Sequence, residues 1–176
     1  LQQTLLTESK KEAARFVQTT ADCDMVVVFG MPLSIANALY NVAVTAYRGH
    51  IYGITVKTFL PNYNEFYEKR WFSSARELST DHIYASELLG SEECDYAIPL
   101  GNNLIYHLPD AFCFGAEICE DLWAPIPPSA FMAMSGYDSV SDRKIKNKTK
   151  NPPIWEVFCF LSNYEITQQD MALTLP

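Results

Sequence analysis

The chain has 176 residues, 48% of them hydrophobic and 19% charged, which suits a globular protein with a real core and excludes a disordered one. Its net charge of −8 argues against nucleic acid or an anionic membrane as the main partner, and no run approaches the roughly 18 apolar residues of a membrane span. Five cysteines without a metal-like CxxC pair point to free thiols in a reducing cytosol. No signal peptide is visible, although the first residue is Leu1 and not Met, and repeats and zinc, Walker A or GxGxxG patterns are missing.

Residues 7–21 are expected to form an amphipathic helix, capped by Thr7 or Ser9, with Ala13, Ala14, Phe16 and Val17 as its inward stripe. Residues 25–30 are a continuous apolar, β-branched run closed by Gly30 and Pro32, the pattern of a strand buried on both faces. Residues 39–47 and 51–56 flank a turn at Arg48, Gly49 and His50, which predicts a β-hairpin with His50 at the surface.

Lys57 directly follows that hairpin. A lysine at the end of a buried strand is usually a snorkelling surface group. The functional alternative is an ammonium pointing into a pocket at the carboxyl end of the strands. Pro61 and Asn62 make residues 58–63 a loop. Residues 65–72 then alternate charge with large aromatics. They read either as a solvated loop with its aromatics pinned to the core, or as a pocket lid in which Glu68 pairs with Lys57 or Arg70.

Residues 73–93 read as a polar surface excursion. Residues 96–100 and 103–108 look like short strands around a turn at Gly101 and Asn102, with His107 alternating outward. Residues 111–118 form a further strand that delivers Cys119 into a turn rich in acids and prolines. That is the layout of a tight elbow with a thiol at its tip. An isolated cysteine is usually a small buried hydrophobe. Here Glu120 and Asp121 follow it, and adjacent negative charge raises a thiol pKa. A reactive Cys119 therefore needs a cation or a base from elsewhere in the chain, and Lys57 is the candidate. Residues 129–136 are expected to form a short helix ended by Gly136. From Tyr137 the character changes to a basic run over 142–150, two prolines and a polar tail, where an α/β domain would continue with another apolar strand.

The block running from Lys57 through Tyr63 and Glu68 to Phe72, and the block from Glu117 through Cys119, Glu120 and Trp123 to Ser129, closely resemble the nitrilase (carbon–nitrogen hydrolase) superfamily. Within it they look most like the amino-terminal glutaminase domain of bacterial glutamine-dependent NAD synthetases. Gly30 to Leu33 and Tyr40 to Ala43 also fit, so the resemblance covers about residues 26–136. It implies an α/β fold, a nitrilase-like αββα sandwich incomplete at both ends, with exposed sheet edges prone to aggregation. Residues 1–136 would be a partial glutaminase domain, and residues 137–176 a tail foreign to the family, from a frame error or a truncation.

The resemblance implies a Glu-Lys-Cys triad that hydrolyses glutamine through a cysteine thioester. Carried over by position, Cys119 is the nucleophile and Lys57 the cation that stabilises the oxyanion. The backbone N–H of Glu120 would be the second oxyanion donor, and Glu68 the supporting glutamate. Tyr63 and Glu120 become substrate-pocket candidates. A lysine near the thiol supplies the missing positive charge. The family's general-base glutamate has no match upstream of Lys57, because Glu8 and Glu12 lie in or beside the first helix. It is inferred to be lost with the true amino terminus, and the fragment alone is expected to be almost inactive. The resemblance further implies glutamine as substrate and no cofactor or metal in this domain. ATP and Mg would belong to a synthetase domain absent here, and the whole would be a cytoplasmic homo-oligomer. A stand-alone amidase acting on another small amide, or a non-catalytic module lacking the base, are the alternatives.

Overall fold

The computed structural model describes residues 3–90, 95–107, 113–134 and 158–159. Gly136 and most of the 137–176 tail lie outside the described residues.

Helix α1 spans Gln3–Thr19 and turns Ala13 and Val17 inward. It starts earlier than expected. Thr7 lies inside it and donates its hydroxyl to the Gln3 carbonyl one turn back, so it does not cap the helix. Strands β1 (Val26–Ile35), β2 (Ala38–Tyr47) and β3 (His50–Val56) form an antiparallel meander. The expected β2–β3 hairpin is present, and His50 is exposed. Its turn residues Arg48 and Gly49 both have positive φ, as do Ala36 and Asn37 between β1 and β2. Two-residue turns of this hand match the twist of the flanking strands.

Strand β1 differs from the expectation of a short strand buried on both faces. It runs ten residues, through Pro32, and among the described residues pairs with β2 alone. An edge strand tolerates a proline because one side of its backbone needs no ladder bond. Met31, Leu33 and Ile35 alternate inward while Val28 stays 39% exposed.

The expected surface excursion at 73–93 contributes to the sheet. Strand β4 (His82–Tyr84) and helix α2 (Ala85–Leu89) bury Ile83, Ala85 and Leu88. Strand β5 (Ala97–Gly101) lies between β4 and β3, giving the order β1-β2-β3-β5-β4, with β5 parallel to β3. The two short strands expected around Gly101 and Asn102 are both present, but they do not pair with each other. Strand β6 (Tyr106–His107) pairs instead with β7 (Cys113–Phe114).

The strand expected at 111–118 is broken at Gly115, after which β8 (Ala116–Glu117) pairs with β9 (Phe158–Cys159). A Cβ on Gly115 would sit 2.5 Å from Met132 Sδ and 3.2 Å from the Leu104 carbonyl. Helix α3 (Glu120–Trp123) and the helical residues 128–134 follow.

The five-stranded sheet is packed on both faces. On one, Val42, Val44, Ile54 and Val56 join Ala13 and Val17 of α1 and Leu88 of α2 in a single core. Burying each of the Val, Ile and Leu side chains contributes roughly 1.5–3 kcal/mol. On the other, Ala43 meets Ala116 and Ile118, and Tyr106 and Leu104 close over Gly53. This layering of helices, sheet and a further β layer sets the carboxyl end of β3 beside the segment that carries Cys119. Among the described residues no helix is long and apolar enough to cross a membrane.

Candidate active site

Lys57 is fully buried, which rules out the snorkelling reading. Its backbone N–H donates to the Asn41 carbonyl and its own carbonyl accepts from Ala75, so both sides of the residue are fixed. Its Nζ lies 2.9 Å from Glu68 Oε1 and 2.8 Å from Oε2. A buried ammonium without such a partner would be costly. Glu68 comes from a one-turn helix, Glu68–Arg70, whose first N–H donates to the Pro61 carbonyl. Burial pushes the Glu68 carboxyl up from its ordinary value. Lys57 opposes that shift, and the charge of Glu120 adds to it. Of the two partners open to Glu68 in the sequence, the structure selects Lys57. Arg70 lies over the Trp71 ring instead, 5.3 Å from its centroid.

Cys119 stands between β8 and α3 with φ +50° and ψ −102°. A non-glycine residue rarely adopts this backbone, and such strain concentrates where a side chain must be aimed. Cys119 is half-buried. Glu120 is the first residue of α3, where the N–H has no acceptor within the helix. Its carboxylate accepts the Tyr63 hydroxyl at 2.8 Å, and Tyr63 packs edge-on to Phe66. That hydrogen bond is the main reason the Tyr63 phenol pKa is raised, and Cys119 adds to the effect. The hydrogen bond to Glu120 thus brings Tyr63 to the residue that follows Cys119, and the Glu120 charge also raises the Glu68 pKa.

Asp121 is the site residue that sequence reasoning left without a role. It is 1% exposed. Its carboxylate accepts the N–H groups of Thr58 at 3.0 Å, Phe59 at 2.7 Å and Ile118 at 3.4 Å. Thr58 adjoins Lys57 and Ile118 adjoins Cys119, so one carboxylate fastens the two chain segments together. Ser74 donates to the Thr58 carbonyl and Asn102 to the Thr58 hydroxyl, which fixes the same loop from its other sides. Burial raises the Asp121 pKa to about 6 against the pull of the N–H groups and Lys57. The available signal was an acid two places after a candidate nucleophile, at the start of a short helix. Glu8 and Glu12 pair with Lys11 and Arg15 on exposed α1, away from this cluster. Among the described residues no group of three or more His, Cys, Asp or Glu could hold a metal ion.

The chain is 34% identical over 138 residues to the glutamine-dependent NAD(+) synthetase of Mycobacterium leprae, covering 77% of this chain and 19% of that protein. It superposes on the glutamine-dependent NAD+ synthetase of Acinetobacter baumannii with a TM-score of 0.50 and 24% identity, covering 76% of this chain and 20% of that one. The carbon-nitrogen hydrolase of Helicobacter pylori gives a TM-score of 0.51 and 21% identity, covering 76% and 37%. No family model matches the chain. The chain spans about a fifth of the length of the curated relatives it matches. It is homologous to one segment of the glutamine-dependent NAD(+) synthetases and has the nitrilase-like carbon–nitrogen hydrolase fold.

Proposed function

We propose that this chain supplies the glutamine-hydrolysing site of a glutamine-dependent NAD(+) synthetase. Its homology to proteins of that name supports the reading. The single observation that carries it is the Asp121 carboxylate. It ties the loop after a buried lysine to the strained elbow that presents a thiol.

In this reading Cys119 Sγ attacks the side-chain amide carbon of glutamine. Negative charge develops on the amide oxygen, opposed by the Lys57 ammonium and the backbone N–H of Glu120. Ammonia leaves, a thioester remains, and water releases glutamate. Glu68 holds Lys57 in place through their ion pair, and Tyr63 with Glu120 lines the substrate pocket. The thiol proton needs an acceptor. Glu68 and Glu120 are already engaged, and the glutamate that serves as base in the family has no counterpart among the described residues. The released ammonia would amidate deamido-NAD in a synthetase domain that uses ATP and magnesium, within a cytoplasmic homo-oligomer.

The test is ammonia release by the intact protein from glutamine and from simple aliphatic amides. Glutamine should be strongly preferred, and Cys119→Ala should abolish turnover. Equal use of aliphatic amides would make the site a general amidase. Turnover independent of Cys119 would overturn the proposal.

A further inference from the structure

We propose that Cys113 is a second reactive thiol of this protein, a hydroperoxide-sensitive site whose proton acceptor is His107. The inference goes beyond the glutamine reaction and does not rest on it. His107 and Cys113 are register partners on the β6–β7 ribbon, and Cys113 Sγ lies 2.8 Å from His107 Nδ1. The neighbouring register pair, Tyr106 and Phe114, stacks its rings at 5.0 Å and 26°, which holds the ribbon in register. The pairing is therefore set by backbone and ring packing.

Cys113 is half-buried, so part of the residue is open to solvent and a small oxidant. His107 is exposed, so a proton it takes up can pass to water. Burial pushes the Cys113 thiol pKa up. Attack then needs a base in contact with the sulfur, and Nδ1 occupies that position. With hydrogen peroxide the sulfur attacks one oxygen, forming the S–O bond as the O–O bond breaks. The imidazole takes the thiol proton and delivers it to the departing hydroxide. The products are a sulfenic acid and water, with sulfur oxidised by two electrons and peroxide reduced by two.

Cys23 supplies the internal standard. It is exposed, and among the described residues its Sγ reaches the Thr19 carbonyl, at 3.9 Å. The experiment treats the intact protein with limiting hydrogen peroxide, traps sulfenic acid with dimedone and maps the adducts by peptide mass spectrometry. Cys113 should be labelled about tenfold faster than Cys23, a conservative share of what a positioned base contributes. His107→Gln should bring the two rates together while leaving the Cys23 rate unchanged. Equal rates at Cys113 and Cys23 in the unaltered protein would overturn the proposal without recourse to any variant. So would a rate ratio that survives His107→Gln.

Discussion

Asp121 Oδ1 accepts the backbone N–H of Phe59 at 2.7 Å across 62 positions of sequence. The same carboxylate holds Thr58 and Ile118, the immediate neighbours of Lys57 and Cys119. The geometry between cation and thiol is thus set by a third side chain. Removing its acceptors strands buried N–H groups. Asp121→Ala should cost about 2–4 kcal/mol, because each orphaned donor carries its desolvation penalty. Asp121→Asn keeps one acceptor oxygen and should cost less. Denaturant unfolding of the intact protein checks this, and equal losses for the two variants would count against the strap.

The charge of Asp121 has its own pH signature. Its carboxyl titrates near 6 when folded and near 3.8 when free of the fold. The folded pKa is the higher, so between those values the native protein holds a proton that the unfolded chain has lost. Stability then falls as pH rises from about 4 to about 6 and is flat above. The whole excursion is worth roughly 3 kcal/mol. The stability difference between the protein and Asp121→Asn should shift in that direction across that window. A shift of opposite sign would mean that the N–H groups outweigh burial.

The Lys57–Glu68 pair should behave as a buried unit. Lys57→Met leaves the Glu68 carboxylate buried without its partner, and should destabilise by about 3–5 kcal/mol. Adding Glu68→Gln should recover part of that loss, with a coupling of about 1–3 kcal/mol in a double-mutant cycle. Additive losses would show that the two groups do not depend on each other.

The strained backbone of Cys119 gives a test free of chemistry. Glycine adopts positive φ without the Cβ clash that alanine meets. Cys119→Gly should therefore unfold at higher denaturant than Cys119→Ala, by about 1–2 kcal/mol. The reverse order would mean that the φ of +50° is not held in the folded protein.

The parts of this structure legible in the sequence were those written in local pattern. The Arg48-Gly49 turn announced the β2–β3 hairpin, and the alternation of charge and aromatics over 65–72 offered Lys57 as a partner for Glu68. The preceding turn was missed because Ala36 carries none of the glycine signal, although its φ is positive too. Strand β4 was hidden by its single inward residue, Ile83, between two exposed ones. Asp121 was visible as an acid but not as a strap, because its partners at Thr58 and Phe59 are backbone groups that leave no mark on composition. The pairing of β6 with β7 depends on contacts between residues six and eight positions apart, which strand periodicity does not encode.

The most direct test of the central claim is to trap the intermediate. The intact protein is mixed with glutamine, quenched in acid within the turnover time, and digested for mass spectrometry. The expected result is a γ-glutamyl thioester on the peptide containing Cys119, lost in Lys57→Met and absent with simple aliphatic amides. Glutamate formation with Cys119 unmodified at every time point, and undiminished in Cys119→Ala, would contradict the assignment of this site to glutamine hydrolysis.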